Sequence, residues 1–175
     1  RVAITADGEE VLQIYEYERV RGMAFGINAY LPKGSRVLFI RDTVENICGE
    51  DSWTYWWSNA DVPETPRTRV LAPCKESFIS FYEEGNYILD KASIPYYKGK
   101  NVTYPTNHPR VLDFFFKIPK ESDQRWVCAL QDDGIGLAQM STRNMKGRKL
   151  FLWGQGRGGK NWGSFLSDGK NTFLE

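Results

Sequence analysis

The sequence predicts an all-β protein that folds as an antiparallel β-sandwich. Several segments alternate apolar and polar residues with a period of two, which is the pattern of half-buried strands. Turn-forming residues recur every ~8–12 positions, as they do in sandwiches built from many short strands. Aromatic residues make up 14% of the 175 residues, and aromatic side chains favour pleated, half-buried surfaces. The sequence contains no long amphipathic helix and no fixed-period repeat, so we expect about ten short strands.

The first three predicted strands form a meander. Residues 11–18 and 23–31 alternate apolar and polar side chains, and the segment between them is short enough for a hairpin connection. A Pro-Lys-Gly turn at 32–34 then leads into a third strand at 36–45. Because tight turns join consecutive strands, we expect these three to pair in antiparallel order.

The middle of the chain is predicted to alternate between short strands and irregular segments. The aromatic-rich stretch 53–59 is predicted to be a strand that ends at Asn59. Pro63 and Pro66 keep the following segment out of a sheet interior, and short strands are expected at 69–72 and 78–82. Glycines and prolines punctuate residues 83–110, which are therefore predicted to form one long, functional loop.

The last third of the chain is predicted to return to regular structure. Strands are expected at 113–118, 126–131, 135–141 and 148–153, with a hairpin turn at Asp132-Asp133-Gly134. A glycine-rich loop at 154–159 and one helical turn at 161–166 follow. The length suits a single domain over residues 1–175. Because the chain opens on Arg1 and closes on a strand-like segment, we expect the domain to be truncated at both ends.

Charge and cysteine content exclude several classes of function. The net charge is +1, with 23 basic and 22 acidic side chains, so we expect no nucleic-acid binding. No apolar run reaches the ~18–20 residues of a membrane span. Cys48, Cys74 and Cys128 are odd in number and widely spaced, which favours free thiols in a reducing compartment such as the cytoplasm. A lone histidine cannot build a His-rich metal site, and we expect neither a metal nor a cofactor.

Two segments carry the candidate ligand-binding residues. Alternation would send Trp56 and Trp57 to opposite faces, one into the core and one toward a groove edged by Asn59 and Glu64. Indole rings beside amides and carboxylates are typical of sugar sites; a core Trp and a sheet-rim Asn are the structural alternative. The second segment, 153–162, contains glycines at 154, 156 and 159 but no following βαβ pattern, so a dinucleotide loop is disfavoured. It either lets strands cross closely or presents side chains to a ligand, the candidates being Trp153, Gln155, Arg157 and Trp162.

His108 is a candidate for acid–base chemistry because the pKa of histidine lies near neutrality. Its position between prolines in a predicted loop favours an exposed side chain without a role. No serine-protease type of triad follows from the spacing, because triad residues are neighbours in space and not in sequence.

Four segments give the chain its resemblance to a known family: YEYERVRGM at 15–23, YWWSNADVPE at 55–64, YPTN at 104–107 and GRKLFLWGQG at 147–156. On these residues the chain resembles a bacterial domain of unknown function, DUF5107, over nearly its whole length. That domain is similar to the galactose mutarotase-like supersandwich, which binds carbohydrate on a concave sheet face, and is often followed by tetratricopeptide repeats. The resemblance implies that strands are missing on both sides of this chain.

The resemblance also bears on chemistry. Mutarotases use a histidine acid and a glutamate base, and their first strand-end motif carries Asn-His where this chain has Asn59-Ala60. Glu175 lies where a strand-borne glutamate would project into the groove. The missing histidine makes sugar binding a better expectation than epimerase chemistry.

Three functions remain open on the sequence. The first is a carbohydrate-binding domain of a carbohydrate-processing protein, with Trp57, Asn59, Glu64, Trp153, Gln155, Arg157 and Trp162 lining the groove. The second is a sugar-active enzyme, an isomerase, lyase or hydrolase, that uses Glu64, His108 or Glu175 as acid and base. The third is a non-catalytic interaction scaffold. Exposed sheet edges predict self-association or pairing with another chain.

Overall fold

The computed structural model describes residues 1–145, 147–167 and 169–175. Strands account for 43% of the chain and helix for 8%, and one of the sheets curls into a half-barrel. Every strand pair is antiparallel in the described residues, so the predicted all-β antiparallel class is confirmed. The chain forms two compact units, residues 1–58 and residues 59–175. No helix among the described residues combines the length and apolar character needed to cross a membrane.

The first unit is one four-stranded sheet in the order β1-β2-β3-β4. The long β2–β3 hairpin pairs Val11 with Tyr30 at one end and Glu18 with Met23 at the other, as the alternating pattern predicts. Gly22, with φ 66°, lies in the connection between the two strands, where glycine adopts this left-handed backbone without strain. The strands are β1 (Val2–Ile4), β2 (Glu10–Glu18), β3 (Met23–Tyr30) and β4 (Phe39–Asn46).

The second unit contains an eight-stranded sheet in the order β10-β9-β8-β7-β11-β14-β15-β5 and a three-stranded sheet in the order β13-β12-β6. The elements are β5 (Val62–Pro63), β6 (Arg69–Leu71), β7 (Glu76–Glu83), β8 (Asn86–Ser93), β9 (Tyr96–Tyr97), β10 (Lys100–Asn101), a 3-10 helix (Pro105–Asn107), β11 (Leu112–Phe116), β12 (Trp126–Leu130), β13 (Gly136–Met140), β14 (Arg148–Leu152), α1 (Arg157–Leu166) and β15 (Phe173–Leu174).

The core of the second unit lies between its two sheets. The larger sheet contributes Ile79, Phe114 and Leu152, and the smaller sheet contributes Val70 and Ala129. Along β14, burial alternates strictly, so that Leu150 and Leu152 face the core while Phe151 faces away from it. We call the side of the eight-stranded sheet that faces away from this core the outer face.

Two predicted elements are wrong, and a third is longer than predicted. Residues 53–59 contain no strand, because Trp56 packs against Phe25 and the segment pairs with no neighbouring strand. Residues 83–110 are not one long loop: β8, β9, β10 and the 3-10 helix lie within them. The predicted helical turn at 161–166 is the second half of α1, which takes in the end of the predicted glycine loop because the helix packs closely on the strand before it.

Candidate functional site

Glu175 is the centre of a polar group on the outer face. Its backbone pairs with Phe151 through two hydrogen bonds of 2.8 and 2.9 Å, which fixes it beside β14. The indole Nε1 of Trp153 donates to one carboxylate oxygen at 2.9 Å, and the Asn59 amide donates to the other at 2.5 Å. An ionised carboxylate accepts about four hydrogen bonds, so Glu175 keeps acceptor capacity beyond these two donors.

Aromatic rings lie around this carboxylate. Trp153 is only 1% exposed, and its ring contacts Phe173 at 5.4 Å and Trp162 at 6.1 Å between centroids. Trp162 also contacts Phe151 at 5.4 Å and remains 38% exposed. The exposed part of Trp162 therefore offers a flat apolar surface next to the group that holds Glu175.

The glycine-rich segment brings α1 close enough for this contact. Gly154 has φ 73°, and a Cβ there would lie 2.6 Å from the carbonyl oxygen of Pro109. A Cβ on Gly159 would lie 1.9 Å from the carbonyl oxygen of Gly154. Only glycine fits at these close approaches. The glycines therefore allow close packing, which is one of the two roles that the sequence left open for this segment. Arg157, the first residue of α1, is exposed.

Glu64 occupies a different environment from Glu175. It is 6% exposed, and neither carboxylate oxygen makes a hydrogen bond of normal geometry to a described residue. Burial raises the pKa of Glu64, while the Thr172 hydroxyl, the Gln155 amide and the Gly154 backbone N–H oppose that rise more weakly. Gln155 also donates to the Thr172 hydroxyl at 2.6 Å, which ties the loop after β14 to the segment before β15.

The strand register places the Glu64 and Glu175 side chains on opposite sides of the sheet. Val62 pairs with Leu174 and packs against the core, and the ladder continues as the Glu64 amide donates to the Thr172 carbonyl at 2.9 Å. Residues two apart on a strand share a face, so Glu64 points to the core side. Glu175 follows Leu174 and points to the outer face. The structure therefore does not bring the two predicted carboxylates into one cleft.

His108 is buried, so the prediction of an exposed side chain is wrong. The residue is 7% exposed because the 3-10 helix before it turns the ring against Tyr97, at 5.8 Å between centroids. Its Nε2 is buried without a hydrogen-bond partner among the described residues. Burial lowers the pKa of His108, and the positive charge of Lys100 lowers it further.

Trp57 belongs to the first unit, where its exposed ring lies edge-on to Tyr55 at 6.4 Å. Its neighbour Trp56 is half-buried against Phe25, so the two indoles do have the different environments that we expected, although no strand produces them.

Further residues on the outer face were not singled out from the sequence. In β11 and β14, Asp113 pairs with Phe151 and Phe115 with Lys149. The Lys149 ammonium lies 2.8 Å from the Asp113 carboxylate and 5.5 Å from the centres of both phenyl rings. The alternation in RKLFLW signals that Phe151 and Trp153 share a face, but the pairing with Asp113 is visible only in three dimensions. Within the described residues, no three His, Cys, Asp or Glu side chains are grouped to hold a metal ion.

Comparison with known proteins relates the chain to one solved structure. No family model matches the chain, and no curated protein matches it. The fold is similar to the crystal structure of a TPR-domain containing protein from Parabacteroides distasonis, with a TM-score of 0.77 and 19% sequence identity. The match covers 99% of this chain and 28% of that protein, so the chain spans little more than a quarter of its length. At this identity the likeness establishes the fold alone, and the resemblance to DUF5107 stays a prediction.

Proposed function

We propose that this chain is a carbohydrate-binding domain whose site lies on the outer face beside α1. The observation that carries the proposal is the Glu175 carboxylate, held by Trp153 and Asn59 next to the partly exposed ring of Trp162. Sugar rings stack their apolar C–H faces on aromatic rings, and their hydroxyls donate to fixed carboxylates and amides. The two donors fix the position of the Glu175 carboxylate before any ligand arrives, which lowers the entropic cost of binding.

Binding is a better proposal than catalysis. An acid–base pair for glycoside chemistry needs two carboxyl groups roughly 5–9.5 Å apart in one cleft. Glu64 and Glu175 point to opposite sides of the sheet, and His108 is buried against Tyr97. These placements favour a site that holds a sugar without transforming it.

The setting of the domain in a longer protein is part of the same proposal. The solved structure with a similar fold is a TPR-domain containing protein, which supports tetratricopeptide repeats elsewhere in the full-length chain. The three cysteines are free, which supports a reducing compartment such as the cytoplasm.

A glycan array followed by titration calorimetry tests the proposal. We expect binding of at least one oligosaccharide and a loss of about tenfold or more in affinity for Trp162→Ala, since tenfold corresponds to ~1.4 kcal/mol. Phe165→Ala is the matched control, because Phe165 lies on the same helix with 71% exposure and makes none of the ring contacts of Trp162. Glu175→Gln should also weaken binding, because it replaces one acceptor oxygen with a donor. Absence of binding to every glycan would refute the proposal.

A further inference from the structure

One side of the four-stranded sheet in the first unit carries a contiguous cluster of aliphatic side chains. The register aligns Val2, Leu12, Ala29 and Ile40 in one row that crosses all four strands. Residues two apart on a strand share a side, so the neighbouring rows on this side are also fixed by the register. We call this cluster the apolar face; it consists of Val2, Ile4, Leu12, Ile14, Ile27, Ala29 and Ile40.

Within the first unit, a neighbouring aromatic side chain packs on one end of this side of the sheet, and the other end is exposed. At the covered end, Trp56 packs edge-on against Phe25 at 6.5 Å, and Met23 is 6% exposed. At the open end, the aliphatic side chains at positions 2, 4, 12, 14 and 40 are 47% to 64% exposed. These five residues present on the order of 500 Å² of apolar surface, at the upper end of the ~300–600 Å² found for the largest patches on monomeric proteins.

We propose that the apolar face binds the apolar face of a second copy of this chain. Two copies would together remove about 1,000 Å² from water, which is the lower limit for a specific interface. Two sheets of matching width pack face to face at about 10 Å, so the second copy restores the layer that the open end lacks. The same area presented to a small ligand would stay largely exposed, which is why a sheet is the better occupant.

Two acidic residues border the apolar face. Glu10 pairs with Ile4, and Asp42 pairs with Ile27 on the edge strand β4. A polar rim around an apolar centre is the usual arrangement of a protein–protein interface, so these two residues would lie at the border of the contact between the copies.

Sedimentation velocity on the 175-residue chain tests the proposal at about 1–100 µM, where an interface of this size should assemble. We expect the unmodified chain to be dimeric and Leu12→Lys to weaken the dimer by more than about 30-fold, since the lysine places a charge at the centre of each buried row. Tyr15→Lys is the matched control, because Tyr15 lies on the same strand with 69% exposure but points to the other side of the sheet. This control should remain dimeric.

A second variant separates loss of the interface from loss of the fold. Ile40→Lys makes the same change on β4, and circular dichroism and thermal unfolding report whether each variant keeps its sheet. Folded, monomeric Leu12→Lys or Ile40→Lys supports the proposal. A monomeric unmodified chain across the whole concentration range overturns it. A dimer that persists in both folded lysine variants also overturns it, because association would then run through the sheet edges.

Discussion

Replacing Glu64 with glutamine should remove a pH-dependent loss of stability from this protein. The Glu64 side chain is 6% exposed, and its carboxylate oxygens lack hydrogen bonds of normal geometry to the described residues. Burial penalises the charged form, so the pKa in the folded state lies above 4.5, its value in the unfolded chain. The folded state therefore binds the proton more tightly than the unfolded state does.

The sign of the effect follows from proton linkage. Well below pH 4.5 the carboxyl is protonated in both states, so it contributes no pH dependence to stability. As the pH rises through 4.5 the unfolded chain loses its proton first, and the free energy of unfolding falls until the folded-state pKa is passed. Each unit of difference between the folded and the unfolded pKa of Glu64 corresponds to a fall of about 1.4 kcal/mol, which sets the scale of the effect. Glutamine does not titrate, so Glu64→Gln removes this fall.

Urea unfolding followed by tryptophan fluorescence, at several values from about pH 4 to 8, measures the effect. The glutamine amide group places two N–H donors beside groups that are themselves donors. This contact changes the free energy of unfolding of the variant by the same amount at every pH. The difference between Glu64→Gln and the unmodified protein should therefore be flat at low pH and rise above about pH 4.5. Glu121→Gln, an exposed change, is the control and should show no such rise. A difference that stays flat or falls with pH would refute the reasoning.

Two further predictions concern Gly159 and His108. Gly159→Ala should destabilise the protein by about 3 kcal/mol in urea unfolding, because the new Cβ would lie 1.9 Å from a backbone oxygen. Gly147→Ala is the control and should leave stability nearly unchanged, because the space around its Cβ position is open. His108→Gln should make stability less sensitive to acid. Burial lowers the pKa of His108 below 6.5, so the unmodified protein loses stability as the pH falls through 6.5. Unfolding curves at about pH 5 and 8 would show whether the variant lacks that loss.

Alternation of side chains is sufficient to predict the β2–β3 hairpin, which forms where the sequence predicts it. The β12–β13 hairpin is predicted from its Asp132-Asp133-Gly134 turn, and it also forms. The prediction of a loop at 83–110 fails because its turns use unusual residues. Glu84 and Gly85 both have positive φ and connect β7 to β8, and Lys98 and Gly99 do the same between β9 and β10. Such two-residue turns match the twist of the strands but usually carry Asn or Asp before the glycine.

The first part of helix α1 is not predicted from the sequence, for a different reason. Gly158 and Gly159 each cost about 1 kcal/mol in a helix interior relative to alanine, so local propensity argues against a helix there. Tertiary packing reverses that preference, because only residues without a Cβ allow the helix to begin directly against the end of β14. The same packing brings Trp162 over Trp153. The stacking surface of the candidate site thus depends on residues that appear unfavourable for the helix that carries it.

The register of two short strands places the Glu64 and Glu175 carboxyl groups on opposite sides of the sheet. Asn59 and Glu175 are 116 residues apart, so no sequence spacing predicts the hydrogen bond between them. Strand β5 has only two residues, and its pairing of Val62 with Leu174 is what turns Glu64 toward the core. A slip of one residue would turn every side chain of β5 to the opposite side and put Glu64 on the outer face with Glu175. Burial of Val62 against the core opposes that slip, because the exposed alternative would leave its side chain in water. Burial of Val62 thus helps to keep the two carboxyl groups apart, and this separation supports the proposal of a bound sugar over that of an acid–base pair.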